Sequence, residues 1–205
     1  MHRGIFGGTF DPFHLGHTGA ARQVMTIADL DEVRVIPASI PPHRAQPAAS
    51  ASQRMDMVSI ALARESGMIP DSRELERPGR SYTVDTVTEL RTEFPDSHFS
   101  IILGLDAALG LERWHRWRDL LGMVTVLVMV RPGWSLPTPL PQWWDSAAGE
   151  TPQPESTGKI HYIEISPLDI SATRIRTRLR AGEDVDEDLH PDVLSYIQQN
   201  QLYLN

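Results

Sequence analysis

The sequence predicts an α/β fold: a doubly wound, mostly parallel sheet with helices on both faces. Three observations carry that expectation. Short apolar stretches alternate with segments of helical period along most of the chain, the pattern of successive βαβ units. VTVLVMV (124–130) is an unbroken apolar run rich in β-branched residues, suited to burial on both faces of a parallel sheet. A chain of 205 residues with 40% hydrophobic and 22% charged side chains suits one soluble domain spanning 1–205.

Each element is justified in turn. GIF (4–6) opens a first strand that ends in Gly7 and Gly8. From Leu15 to Ala28 the pattern is helical, with Ala20, Ala21, Val24 and Ile27 on one stripe. VRVIP (33–37) is a second strand, stopped by Pro37, and 38–52 is a loop rich in Pro, Ala and Ser. A helix at about 52–66 is expected to take Ser52 as its cap and to place Met55, Val58 and Leu62 on one face. Thr83 is the expected cap of the next helix, whose stripe is Val84, Val87 and Leu90. HFSIILG (98–104) is a strand, 106–121 a helix and 124–130 the strand already described. Residues 131–158 hold six prolines and read as a long loop or flap. KIHYIEI (159–165) is a last strand, and helices at 171–182 and about 191–201 make a C-terminal helical part within 171–205. The arrangement expected is Rossmann-like, and in such sheets ligands bind at the carboxyl ends of strands where strand order reverses.

Composition narrows the function. The absence of cysteine excludes disulfides, thiolate catalysis and cysteine-based metal sites. It also fits a cytoplasmic protein. No apolar run is long enough to span a bilayer, and MHRGIFGG does not open a secretory signal. A formal charge of −8 argues against non-specific nucleic-acid binding, which needs Lys and Arg to neutralise phosphates. Lys159 is the only lysine, so positive charge is carried by Arg, which grips phosphate through two donors at once.

The stretch GGTFDPFHLGH (7–17) carries the strongest chemical signal. Gly7 and Gly8 leave the first strand without Cβ atoms, so the backbone can approach a ligand and present its N–H groups. Asp11-Pro12 makes a turn. His14 and His17, three apart at the start of a helix, can share a face, with Gly16 clearing the space between them. A helix N-terminus favours phosphate, and two imidazoles there can donate to oxygens whose charge rises in a transition state. A histidine pair at this spacing also suits a metal, but no cysteine exists to complete a set, and no metal site is expected. The stretch matches neither Gly-x-Gly-x-x-Gly nor a P-loop.

GGTFDPFHLGH resembles the signature of the nucleotidyltransferases that carry His-x-Gly-His. ISATRIR (170–176) resembles that superfamily's second signature, Ile-Ser-Ser/Ala-Thr-x-Ile-Arg. PPHR (41–44), SYTVDT (81–86), LGLDAALGLERWHRW (103–117), VMVRPG (128–133) and HPDVLSYIQQNQLY (190–203) are similar, in the same order, to bacterial nicotinate-nucleotide adenylyltransferases.

The resemblance implies joining of nicotinic acid mononucleotide to ATP, giving deamido-NAD and pyrophosphate in NAD biosynthesis. ATP is then a co-substrate and Mg²⁺ travels with it. It implies that His14, His17 and Arg174 are catalytic. Gly7, Gly8, Thr9 and Phe10 would line the ATP phosphates and ribose. Ile170, Ser171, Thr173 and Arg174 would hold the β- and γ-phosphates. Gly104 and Asp106 would lie near adenosine and the dinucleotide ribose, although an Asp after a strand also serves as a helix cap. Asp11, His43, Arg44, Tyr82, Thr83, Trp114 and Arg131 would hold the mononucleotide, with Trp114 stacked on its ring. Tyr82 and Thr83, at a helix N-terminus, would receive the nicotinate carboxylate, which an amide exploits less well. Arg44 stands where lysine is more usual, which changes the geometry of the contact.

Arg176, Arg178 and Arg180 are expected on a solvated basic face, Arg54 in a structural role and Trp117 in the core. Trp143 and Trp144 are either exposed or folded back. Two alternatives stay open: an enzyme that uses nicotinamide mononucleotide or both mononucleotides, and a nucleotide-binding module without catalysis. A class I aminoacyl-tRNA synthetase has a related His-Gly-His element, but an acidic chain of 205 residues leaves little room for tRNA. The partners expected are small molecules, with no nucleic acid and no membrane. The chain is compatible with a homo-oligomer.

Overall fold

Among the described residues, six strands form one parallel sheet in the order β3-β2-β1-β4-β5-β6 with helical connections, the α/β arrangement expected. The computed structural model describes residues 1–39, 46–133, 135–136, 138–147, 157–166 and 168–204. The strands are β1 (His2–Gly8), β2 (Glu32–Pro37), β3 (Met68–Pro70), β4 (His98–Gly104), β5 (Thr125–Val130) and β6 (Ile160–Glu164). The order runs outward from β1 to β3 on one side and from β4 to β6 on the other, so the switch point falls at β1 and β4. Parallel registers pair Ile5 with Ile101, Ile101 with Val126, and Val126 with Ile160. All four of these side chains are buried, as a sheet covered on both faces requires.

The helices are α1 (Leu15–Ile27), α2 (Ala51–Leu62), α3 (Arg73–Glu76), α4 (Thr83–Glu93), α5 (Leu105–Leu109), α6 (Trp117–Leu121), α7 (Gln142–Ala147), α8 (Ala172–Arg180) and α9 (Pro191–Gln199). The chain divides into two compact units, each gathered from three segments. The first is Met1–Phe6, Arg22–Arg34 and Tyr82–Ser166; the second is Gly7–Ala21, Val35–Ser81 and Pro167–Asn205. Phe99, Ile102, Leu127 and Val128 lie in the core of the first, and Phe13, Met57, Ile175 and Ile197 in that of the second.

Several local expectations are corrected. Ser50, not Ser52, caps α2: its hydroxyl accepts the Gln53 N–H at 3.2 Å and the Gln53 side chain accepts the Ser50 N–H at 2.9 Å. That reciprocal box needs Ser and Gln three apart, and only Ser50 has that spacing. Tyr82, not Thr83, occupies the cap position of α4, without a side-chain cap bond. Ile27 is 52% exposed, and the buried stripe of α1 passes through Ala20, Ala21 and Val24. The helix expected over 106–121 is broken into α5, a 3₁₀ turn (Leu111–Arg113) and α6, with Arg116 in the left-handed region at φ 51°. The edge strand β3 is too short to leave a period, and its Pro70 is tolerable at an edge. Within the loop expected over 131–158, residues 142–147 form α7 and Trp144 folds back to 1% exposure.

Candidate active site

β1 ends at Gly8, and the chain then turns back sharply into α1. Phe10 is left-handed at φ 52° yet buried at 3% exposure. A Cβ on Gly8 would stand 2.6 Å from the Phe10 ring, so this close approach requires glycine. Phe10 in turn meets the His17 ring edge-on, with centroids 5.0 Å apart. His17 is sandwiched between Phe13, stacked at 5.2 Å, and His14, stacked at 3.6 Å.

The two imidazoles are electrostatically unusual. Burial holds the His14 pKa down to about 4. His17 is held well below the usual imidazole value, first by burial and then by the neighbouring His14. Both are therefore neutral near pH 7. The His17 Nδ1 accepts the backbone N–H of His14 at 3.3 Å, so the neutral ring carries its proton on Nε2 and presents a donor there. The His14 carbonyl accepts the His17 N–H at 2.9 Å and so opens α1. The entry is tied down further where the Leu15 N–H donates to the Asp188 carbonyl at 3.0 Å.

The second signature reaches the same loop. A Cβ on Gly16 would lie 3.4 Å from the Ile170 Cβ and 3.1 Å from the His14 ring. Ile170 directly precedes Ser171, the cap residue of α8, whose side chain makes no capping bond. The free N–H groups of the first turn of α8, with exposed Ser171 and Thr173, therefore stand beside the two-histidine loop. The start of α1 is largely satisfied from within the protein, so the open donors beside the histidine pair are the first-turn N–H groups of α8 and the hydroxyls of Ser171 and Thr173, the kind of group that receives phosphate oxygens. Among the described residues no group of three or more His, Asp or Glu is arranged to hold a metal.

The arginines of α8 do not behave alike. Arg174 lies at the surface against Asp169, bonded to its carboxylate at 3.2 Å and to its carbonyl. Arg176, expected on a solvated face, instead donates to the Asp11 carbonyl at 2.7 Å and to the Thr173 hydroxyl at 3.3 Å. It is also the residue at the closing Arg position of the quoted signature. Arg178 is likewise engaged, with the Asp188 carboxylate at 2.5 Å. Arg180 is exposed. Arg54 is 1% exposed and holds the Thr9 carbonyl at 2.8 Å and the Ser39 carbonyl at 3.2 Å, the structural part expected of it.

Asp11 is 6% exposed, and its carboxylate is already taken by donors of the protein itself. These are the N–H groups of Ala48 at 2.8 Å and Ala49 at 3.0 Å, and the Tyr203 hydroxyl at 2.7 Å. Tyr203 was missed at the sequence level, and no spacing could reveal a contact across 192 residues. His43 and Arg44 lie outside the described residues.

The remaining candidates belong to the first unit. Gly104 ends β4 and occupies the cap position of α5; Asp106 is exposed in the first turn of α5, two residues past that cap. Tyr82 and Thr83 open α4, and the Tyr82 ring packs on His115 with centroids 4.4 Å apart. Trp114 is partly buried, and Arg131 is exposed just past β5. Trp117 lies 5.4 Å from Trp143, centroid to centroid, within an aromatic cluster that includes Trp144.

Residues 5–178 match the family model described as cytidylyltransferase-like. A nicotinic acid mononucleotide adenylyltransferase of Plasmodium falciparum, solved in complex with NaAD, has the same fold. Its TM-score is 0.76 at 19% identity, over 98% of this chain and 97% of that one. Fold and family model thus define the class, that of nucleotidyltransferases built on a doubly wound sheet. Curated proteins of Aeromonas hydrophila subsp. hydrophila and Chromobacterium violaceum are each 42% identical, covering 98% of this chain and 96% and 97% of their own. One of Shewanella putrefaciens is 39% identical over the full length of both. All three carry the name "Probable nicotinate-nucleotide adenylyltransferase". The chain belongs to the nicotinate-nucleotide adenylyltransferase family.

Proposed function

We propose that this protein transfers the adenylyl group of ATP to nicotinic acid mononucleotide. A phosphate oxygen of the mononucleotide attacks the α-phosphorus, the bond from that phosphorus to the β-phosphate bridge breaks, and pyrophosphate leaves. The attacking oxygen is already anionic, so no general base is needed; catalysis rests on alignment and on stabilising the charge of the transition state. The observation that carries this reading is the contact of Gly16 with Ile170. It brings the neutral histidine pair and the N-terminus of α8 to one loop.

In this reading His17 donates through Nε2 to the α-phosphate oxygens, His14 assists beside it, and the 7–10 backbone with Ser171 and Thr173 receives the remaining phosphates. Arg174 sits at the rim and can swing from Asp169 to the γ-phosphate. Arg176, fixed on the loop itself, is the better-placed cation for the leaving pyrophosphate. Gly104 and Asp106 are assigned to the ATP nucleoside. Tyr82, Thr83, Trp114, Arg131, His43 and Arg44 are assigned to the mononucleotide. The cradle offers donors and cations, which suit phosphate oxygens and leave Mg²⁺ to the phosphates and water. When bound, that ion neutralises charge on the triphosphate. The cysteine-free composition fits the reducing cytoplasm, where we place the reaction.

The test is pyrophosphate release and dinucleotide formation with ATP, Mg²⁺ and either mononucleotide. A higher kcat/KM with the nicotinate form is expected. A clear preference for the amide rejects the substrate assignment. No pyrophosphate with either leaves a nucleotide-binding module.

A further inference from the structure

Residues 9–11 join the glycine cradle to the histidine pair, and they are held from three distant places. Arg54 takes the Thr9 carbonyl at 2.8 Å, Arg176 the Asp11 carbonyl at 2.7 Å, and Tyr203 the Asp11 carboxylate at 2.7 Å. The same carboxylate takes the Ala48 and Ala49 N–H groups, just ahead of α2. Asp11 therefore gathers the 9–13 loop, the Ala48–Ala49 segment and the C-terminal tail on one side chain.

The tail takes a strained path to reach it. Gln201 and Tyr203 are both left-handed, at φ 53° and 65°, as is Phe10 at 52° on the loop. A non-glycine residue in this region is strained by its Cβ and persists only where its surroundings hold it. Tyr203 is nonetheless buried, at 7% exposure. Burial and the bond to Asp11 push the hydroxyl pKa up, so it stays a donor at any working pH.

Imidazoles act as preorganised donors only where the backbone carrying them does not drift, because misplacement by about 1 Å costs on the order of 10²-fold in rate. α1 begins at Leu15, so His14 and His17 inherit their position from residues 9–13.

We propose that Tyr203 is a positioning residue for the catalytic histidines, acting through Asp11 without touching substrate. Asp11 is then the brace of the loop rather than a ligand of the mononucleotide. The inference rests on the function proposed above for its kinetic arm only.

Tyr203→Phe removes the hydroxyl and keeps the ring. Tyr196→Phe is the matched control, because Tyr196 makes an equal 2.7 Å bond to Asp56 away from the loop. Turnover and ligand-free histidine ring NMR resonances are measured for both. Tyr203→Phe is expected to lower kcat about tenfold with both KM values within about twofold, and to shift the His14 and His17 resonances. Tyr196→Phe is expected to do neither. Unmoved resonances in Tyr203→Phe overturn the proposal, as does an equal shift or an equal kcat loss in Tyr196→Phe. A wild-type protein with no turnover rejects the proposed function and leaves the resonances to decide the positioning. Should Tyr203→Phe unfold, Asp11→Asn, which keeps the side-chain shape, must give the same resonance shifts.

Discussion

His14 and His17 are bound to each other three times, by rings stacked 3.6 Å apart, by the His14 backbone N–H donating to His17 Nδ1 at 3.3 Å and by the His17 N–H donating to the His14 carbonyl at 2.9 Å. The bond to Nδ1 places the proton of the neutral His17 ring on Nε2. Changing His17 to Ala should lower kcat by roughly 10²–10³, the scale of losing one preorganised donor, while folding survives. Pyrophosphate release under saturating substrates checks it; an unaffected rate removes His17 from the chemistry.

Because burial holds His14 near a pKa of about 4 and His17 well below the usual value, neither ring should titrate between about pH 5.5 and 8 in the free enzyme. Ring-proton NMR across that range reads this directly. The stability consequence has a definite sign. The unfolded imidazole binds a proton near pH 6.5 and the folded one only near 4, so the unfolded state holds more protons between those values. Stability is complete above about pH 6.5 and falls as the pH is lowered toward 4, by about 3 kcal/mol for His14 alone. His2 and His161, also lowered by burial, act in the same direction. Urea midpoints at pH 7.5 and 5 should therefore differ, with the acid value lower.

Two glycines predict two different failures. Gly8→Ala sets a Cβ 2.6 Å from the buried Phe10 ring and should cost about 1–3 kcal/mol through overpacking, with a raised KM for ATP. Gly16→Ala sets a Cβ 3.1 Å from the His14 ring, a contact that a small shift relieves. Its cost should fall mainly on kcat, by about tenfold, with the melting temperature nearly unchanged. Parallel melting and kinetic measurements separate the two patterns.

Arg54 is a buried cation whose work is done on two carbonyls, those of Thr9 and Ser39. Arg54→Ala leaves both unpaired and a cavity besides, and should destabilise by about 3 kcal/mol or more. Arg54→Lys keeps a positive charge but lacks the planar fork, and should recover only part of the loss. Denaturant midpoints with unchanged slopes are the readout.

Much of the architecture was legible because it is written in local periods. The strands 98–104 and 124–130 and the helices after residues 15, 83 and 191 follow from runs and stripes that any short window contains. The breaks were not legible. Gly110 and the left-handed Arg116 split a segment whose apolar spacing still reads as one helix. β3 spans three residues, less than any period can mark. At the site, the glycines and histidines of 7–17 announced themselves by residue type. The arginines of α8 did not: side chains two apart on a helix point to different sides, and sequence does not say which side meets the loop.

The chain's residues by themselves thus decided that a parallel sheet would form and that its first strand would end in a turn of glycines followed by two histidines. Both depend on backbone preferences within a few neighbours. Only the folded molecule decided which groups brace that turn: Arg54 from 45 residues away, Arg176 from 165 and Tyr203 from 192. Hydrophobic pattern records that a face is buried and not what lies against it. Such partners are chosen by long-range packing, where a buried carboxylate or carbonyl must find a donor wherever the topology supplies one.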